Sequence, residues 1–354
     1  MLILRPRNIS LTKKISIFFF LVLSSFLIFA LILFFLKKNP LLIYKTIFFT
    51  PFYDFYSFSE VIVKSTPLIL TGFSVLIAIR IGLWNIGVEG QLVLGAIFSS
   101  IFSLYFTKYF PSSTHLFFAL FFSLVGGALW SFFPIILKLK WKINEIISSL
   151  LLNYVAIILM EHLYFGPLRD PMGFGFPGTA IFPQSVWLPR LWHTRISIAL
   201  FIVLALILLF YFFLKKTPTG YKIKVIGENP KAAQYAHFKQ KKLLLAMFLL
   251  SGAMAGLAGG EEVLGIHRRL QQGLAIGYGY DGIIAAFLAQ KNPLLLPLVS
   301  IFLSILKVGA EEVQSVFHLS ASFTQVLEGF ILLAFLMAKT FSEFKLTRVK
   351  TVKN

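Results

Sequence analysis

The chain has no cysteine and little negative charge: 14 acidic residues stand against 33 lysines and arginines in 354 residues. Without cysteine, disulfides, thiolate nucleophiles and cysteine-ligated metals are excluded. Histidine offers little in their place, since there are six, none at i, i+4 spacing, and no His-Glu-x-x-His. The Gly-x4-Gly-Lys-Ser/Thr phosphate loop and the Gly-x-Ser-x-Gly elbow are also missing. The sequence thus predicts no catalytic centre and no bound cofactor or metal, and any ATP that powers this protein is hydrolysed on another subunit. Charge as a whole is scarce at 13% of residues, about half of the roughly 25% typical of soluble domains.

What fills the chain is apolar. Hydrophobic residues make up 58% of it, 41 of them phenylalanine, and the mean hydropathy is +0.84. This composition predicts an all-α, polytopic membrane protein in one bundle. The net charge of +19 does not indicate nucleic acid, because the basic residues sit in short segments between apolar runs, as topology signals do in a bilayer. About ten membrane-spanning helices are expected, near 15–36, 62–80, 84–106, 115–137, 144–163, 195–214, 243–261, 279–290, 294–309 and 321–339. Lys291-Asn292-Pro293 leaves the eighth and ninth short, as two full spans or as broken, re-entrant helices. The first run is too long for a signal-peptide core, and Lys37–Pro40 is no cleavage site, so it is retained as a span.

Orientation follows from lysine and arginine. The tail 1–14 (Arg5, Arg7, Lys13, Lys14), the 138–142 turn, the 215–242 loop with eight lysines, and the tail 341–354 (Lys345, Arg348, Lys350, Lys353) fall on one side of a ten-span topology. The positive-inside bias makes that side cytoplasmic, with both termini there. The 164–194 loop, with Arg169 and Arg190, falls outside. The transmembrane domain is then 15–340, in the cell (inner) membrane and in contact with lipid.

The most informative stretch is GLWNIGVEGQ (Gly82–Gln91), which sets Glu89 among glycines between two hydrophobic runs. A carboxylate at membrane depth costs about 2.5 kcal/mol or more and faces a protein interior or a polar cavity. GYGYDGIIAAFLA (Gly277–Ala289) repeats the character of Asn85–Ala96, and Ser251-Gly252 has its counterpart in Thr71-Gly72. The first set begins outside and the second inside. Such an inverted repeat puts a pathway at the repeat interface, with Glu89 and Asp281 in related positions; chance similarity of two glycine-rich apolar stretches is the competing account. Asn85, Glu89, Asn153 and Asp281 are the candidate pathway residues. Asn153 either joins helices or lines a cavity.

Other polar residues have plainer readings. Asn144-Glu145 reads as a helix cap. Glu261-Glu262 reads as a solvated span end, whereas Glu328, inside an apolar run, is expected to face the bundle interior. In the basic segment Thr217–Lys242, Gly227 is placed at the end of an extended stretch. Asn229 and Pro230 then begin a short helix over Lys231–Phe238, whose small face of Ala232, Ala233 and Ala236 suits docking into a partner's groove. The plainer alternative is a basic loop that only fixes topology.

Five motifs in order, GLWNIGVEGQLVLGA (82–96), NEIISSLLLNY (144–154), TGYKIKVIGENPKAAQYA (219–236), SGAMAGLAG (251–259) and GYGYDGIIAAFLA (277–289), resemble the permease subunits of nucleoside and simple-sugar ABC transporters, within the branched-chain amino acid/ribose permease superfamily. The resemblance covers most of residues 60–340. It implies the membrane half of an ATP-driven importer, paired with a second related permease or with a copy of itself. It also implies two cytoplasmic ATP-binding sites, on an ABC ATPase partner subunit, and an extracytoplasmic binding protein that delivers ligand. The family's coupling segment falls on Gly220–Ala236, which makes Gly220, Glu228, Asn229, Pro230 and Lys231 the candidate ATPase-coupling residues. Glu261 departs from the family, which usually has an apolar residue there, and Lys307–Gln314 is more acidic than expected. Nucleosides are the expected cargo, with simple sugars or riboflavin-like ligands as alternatives. An ion-coupled carrier using Glu89, Asp281 or Glu328 is the rival mechanism.

Overall fold

The computed structural model describes residues 2–6, 10–191, 194–320 and 322–348. Arg7, Lys350 and Lys353, used above for orientation, lie outside these residues, as does the side chain of Glu328. The described residues are mostly helical. In order come α1 (Leu11–Phe35), α2 (Pro40–Phe49), α3 (Phe55–Arg80), α4 (Val88–Ile101), α5 (His115–Trp141) and α6 (Glu145–Phe165). They are followed by α7 (Ala199–Lys216), α8 (Pro218–Glu228), α9 (Pro230–Tyr235), α10 (Gln240–Glu261), α11 (Tyr278–Leu288), α12 (Leu296–Phe317) and α13 (Ser322–Glu343). Wide π-type turns carry α4 on through Phe106 and α10 on to His267.

Every expected apolar run coincides with a helix. Six helices among the described residues are long and apolar enough to cross a bilayer: 55–80, 88–109, 112–141, 145–165, 199–216 and 240–267. Of the two readings left open for the eighth run, 279–290, the structure shows the broken one. It is the 11-residue helix α11, about 16 Å long at 1.5 Å per residue, or half of a hydrocarbon core about 30 Å thick.

The helices fall into two compact units, residues 58–304 and residues 1–57 with 305–354. In the smaller unit α1 packs along α13, the Tyr44 hydroxyl donates to Phe26 O at 2.5 Å, and Lys38 Nζ donates to Phe317 O at 3.0 Å. A short antiparallel pairing joins β1 (Leu2–Pro6) to β2 (Phe344–Arg348).

The larger unit is built around α4, α5 and α10. Helix α10 carries small residues every four positions, Gly252, Gly256 and Gly260. A Cβ on Gly256 would overlap Ser123 O of α5, one on Gly252 would overlap the Ser131 side chain, and one on Gly95 of α4 would overlap the Gly256 backbone. Close backbone approach through small residues is how helices associate where no water is available to drive them together. Helix α3 threads this unit from end to end. Near its start Glu60 pairs with Arg195 at 2.9 Å, and at its finish Arg80 meets Gly227 of α8.

Candidate functional site

The stretch 82–91 and the start of α11 come together near the middle of the larger unit. Gly82, at φ +83°, lies against Gly227, so the segment after α3 starts at the α8 end of the bundle. Three residues on, Asn85 Nδ2 donates to Ser251 Oγ at 2.8 Å, and Ser251 is the twelfth residue of α10. Residues 81–87 therefore climb to mid-bundle before α4 begins, and α4 runs to the far end, where His115 Nδ1 lies 2.7 Å from Ser185 Oγ of the 166–198 loop.

The second half mirrors this course. Phe182 N–H and Thr179 N–H of that loop donate to Arg268 O and Leu270 O, each at 2.8 Å, which fixes the start of 268–277 at the far end. The segment descends to Gly277, whose φ of +96° at the N-cap of α11 is glycine's own region. Helix α11 then returns to the α8 end, where Arg80 Nη2 donates to Lys291 O. Two helices, α4 and the half-length α11, thus start at mid-bundle and run in opposite directions.

Glu89 sits between their N-termini. It lies in the first turn of α4 and is 1% exposed. Its Oε1 accepts from Gly277 N–H at 2.9 Å and its Oε2 from Gly279 N–H at 2.6 Å. The first N–H groups of a helix have no partner within it and carry the positive end of its dipole. One carboxylate therefore answers both helix N-termini, as a cap in trans for α11 and as a first-turn anion for α4. A Cβ on Gly279 would press on the Glu89 backbone, so no larger residue fits opposite.

Three amides complete the joint. Asn85 and Gln91 pair reciprocally, Asn85 Nδ2 to Gln91 Oε1 at 2.7 Å and Gln91 Nε2 to Asn85 Oδ1 at 2.9 Å. Asn153, nine residues into α6 and fully buried, accepts from Gly90 N–H at 2.8 Å and donates to Ile86 O at 2.9 Å and to the Tyr280 hydroxyl at 3.3 Å. Asn153 thus bonds α6 to the start of α4 and to Tyr280 of α11. Beside the joint, Ser74 Oγ donates to Ser251 O at 2.7 Å and Ser251 Oγ to Ser74 O at 2.6 Å, a reciprocal pair linking α3 and α10.

Asn85, Glu89 and Asn153 are thus brought together, and Asp281 stands half-buried in the first turn of α11. Sequence reasoning did not single out Gln91, Ser74 or Tyr280. Gln91 and Ser251 are polar residues in apolar runs, which was signal enough to notice them, but the pairing of Ser251 with Ser74 and of Tyr280 with Asn153 joins segments distant in sequence and carried none.

At the α8 end, α7 and α8 are separated only by Thr217, whose side chain caps α8 by accepting from Gly220 N–H at 3.0 Å. Gly220 is buried against the last turn of α7, where a Cβ would lie 2.6 Å from Leu214 Cα. The extended stretch expected before Gly227 is instead helix α8. The cap, Pro218 at N1 and the buried pair Ile223 and Ile226 form one helical face, and that packing overrides the strand preference of branched residues. Gly227 lies inside the helix, and its lack of a side chain lets α8 touch Arg80 O. Asn229 then caps α9 by accepting from Ala232 N–H at 3.1 Å, with Pro230 at N1. Helix α9 ends at Tyr235, three residues earlier than expected. Of its small face Ala233 is buried, whereas Ala232 and Ala236 are exposed together with Glu228, Lys231 and Tyr235.

At the far end, Glu261 and Glu262 are buried, not solvated as expected. Glu261 Oε1 accepts from Ser197 Oγ at 3.2 Å, and Glu262 lies 3.3 Å from His267 Nε2. The 166–198 loop folds over them: Arg190 Nη2 donates to Gly265 O at 3.1 Å and Arg268 stacks on Trp187 at 3.7 Å. Burial, and then the nearby Arg268 and Arg195, lower the pKa of Arg190, with Glu60 opposing. Asn144 accepts from Ile146 N–H at 2.9 Å and Glu145 pairs with Lys138 at 2.5 Å, so Asn144-Glu145 is a helix cap as read.

Residues 57–336 match the family described as branched-chain amino acid transport system / permease component. The chain is 30% identical over 321 residues to the glucose ABC transporter permease protein TsgB13 of Haloferax volcanii, covering 88% of this chain and 84% of that one. It is 32% identical over 262 residues to the guanosine ABC transporter permease protein NupP of Bacillus subtilis, covering 73% and 75%. To the nucleoside ABC transporter permease protein NupB of Lactococcus lactis it is 26% identical over 309 residues, covering 84% of each. No solved structure matches the chain. With this match over most of its length, and with apolar helices around a buried polar joint, the chain belongs to the branched-chain amino acid transport permease family and is a multi-pass ABC transporter permease subunit, a transport component and not an enzyme.

Proposed function

We propose that this chain is the membrane-spanning half of an ATP-driven importer of nucleosides, set in the cell (inner) membrane with both termini cytoplasmic. It pairs with a second permease or with its own copy, docks a cytoplasmic ATPase through α8 and α9, and receives ligand from an extracytoplasmic binding protein. The observation that carries this reading is a closed ring of contacts. Helix α8 touches Arg80 and Gly82, the segment after Gly82 leads to Glu89, Glu89 caps α11, and the turn after α11 is bonded back to Arg80. A push on α8 and α9 by an ATPase would therefore reach both ends of the joint. Opposed helix N-termini meeting at mid-bundle are the arrangement expected of an inverted repeat whose halves rock about a central site. The reciprocal Ser74–Ser251 pair supports the same reading, although it matches Ser251 with Ser74 and not with Thr71.

The joint also weighs against ion coupling. Glu89 is occupied by two backbone donors, which gives it structural work that a proton carrier would have to give up in each cycle. Nucleoside is favoured as cargo by the names of NupP and NupB. A simple sugar is the second reading, favoured by the longer alignment with TsgB13. The test is uptake into proteoliposomes holding this chain and its co-purifying subunits. Labelled guanosine and other nucleosides, glucose and riboflavin are offered with ATP, with a proton gradient, or with neither. ATP-dependent nucleoside uptake is expected. Glucose alone would select the second reading, and uptake driven by the gradient without ATP would overturn the ABC mechanism for this chain.

A further inference from the structure

Between the end of α3, the last turn of α7, helix α8 and the turn after α11 lies a cleft of about 500 Å³. Four cations line it, Arg80, Lys215, Lys224 and Lys291, against one carboxylate, Glu228. Arg80 is held in place by its bond to Lys291 O, while its Nε is buried and finds no acceptor among the described residues. Gln290 and Lys291 both adopt left-handed backbone, at φ +51° and +63°, a conformation that costs energy in non-glycine residues and here sets Lys291 at the cleft wall. Like charges gathered around a partly enclosed space repel each other unless an anion joins them. The volume falls within the range of small-ligand sites, about 300–1,000 Å³. The cleft also opens where two membrane-spanning helices end, which is where basic pockets meet lipid head groups.

We propose that this cleft binds a phosphate-bearing anion, either the head group of an anionic lipid or a soluble phosphorylated molecule. Bound there, it would bridge α8 to the end of α3 and to the turn after α11, the two tethers of the joint. Binding is measured directly, so the outcome does not depend on the cargo or on transport.

The test uses the full chain with its co-purifying subunits in a neutral detergent. Thermal shift and native mass spectrometry are read against short-chain phosphatidylglycerol, inorganic phosphate and AMP. At least one phosphate compound is expected to raise the melting temperature of the wild type. The exposed pair Lys215→Gln/Lys224→Gln is expected to weaken its apparent affinity roughly 25-fold, and Lys224→Gln alone about fivefold, taking each cation at about a fivefold factor. The control Lys241→Gln/Lys242→Gln removes the same charge outside the cleft and is expected to leave affinity unchanged. A response to phosphatidylglycerol alone identifies lipid as the source, and a response to phosphate or AMP identifies a soluble one. No binding of any of the three by the wild type, or equal weakening in both double variants, would overturn the proposal. The single variant keeps the test decisive should the double variant fail to fold.

Discussion

Substitution of Glu89 separates a structural joint from a ligand-handling residue. Its carboxylate accepts from Gly277 N–H at 2.9 Å and Gly279 N–H at 2.6 Å in a site with 1% exposure. Hydrogen bonds to a charged group contribute about 1.5–3 kcal/mol each. Glu89→Ala removes both acceptors and leaves the N–H groups of Gly277 and Gly279, at the start of α11, without them, so the expected loss is about 3–6 kcal/mol. Glu89→Gln keeps one oxygen but turns an amide NH2 toward the other N–H, and it removes the negative charge between two helix N-termini. Its expected loss is about 2–4 kcal/mol. Glu89→Asp keeps the charge but is one methylene too short to hold both donors where they stand, and it should fall between Gln and the wild type. The assay is thermal unfolding of the purified complex, followed by ATPase and uptake on the same samples. The expected order of melting temperatures is Glu, Asp, Gln, Ala, with uptake falling in parallel. If Glu89→Gln and Glu89→Ala unfold like the wild type yet abolish uptake, the joint is not what Glu89 is for, and its role is with ligand or proton.

Two further predictions test the neighbouring structure. Gly256→Leu would drive a side chain into Ser123 O and the Gly127 backbone, and overpacking of this kind costs about 1–3 kcal/mol and occasionally more. It should lower the yield of folded protein in size-exclusion chromatography well below that of Leu250→Ala, at an exposed site on the same helix; equal yields would refute the tight packing of α5 on α10. Replacing Glu228, or Pro230 at the first position of α9, should leave the complex assembled while ATPase activity no longer tracks uptake. Wild-type coupling in both variants would remove α8 and α9 from the transmission route.

Much of this was legible in the sequence because the bilayer leaves few options. Apolar runs of about twenty residues must be helices, since no water is present to satisfy open backbone, and each expected run coincides with one. The break at Lys291-Asn292-Pro293 also pointed to irregularity, which the structure resolves into a half-helix and a 22-residue helix. The extended stretch expected before Gly227 failed because tertiary packing of Ile223 and Ile226 decided the matter, and local preference could not foresee it. The solvated reading of Glu261-Glu262 failed for a related reason: the 166–198 loop that covers the pair is distant in sequence.

By itself the sequence determined that this is a helical, multi-pass membrane protein. It also showed that Asn85, Glu89, Asn153 and Asp281 are polar residues set in apolar surroundings, where they need a reason to exist. Only the tertiary structure shows which groups three of them bond. A hydrogen bond is short and directional, and nothing local in Val88-Glu89-Gly90 specifies that its carboxylate will meet the backbone of residues 277 and 279. That meeting depends on two chain segments entering mid-bundle from opposite ends and presenting bare helix N-termini to the same point, a property of the whole packing and not of either segment.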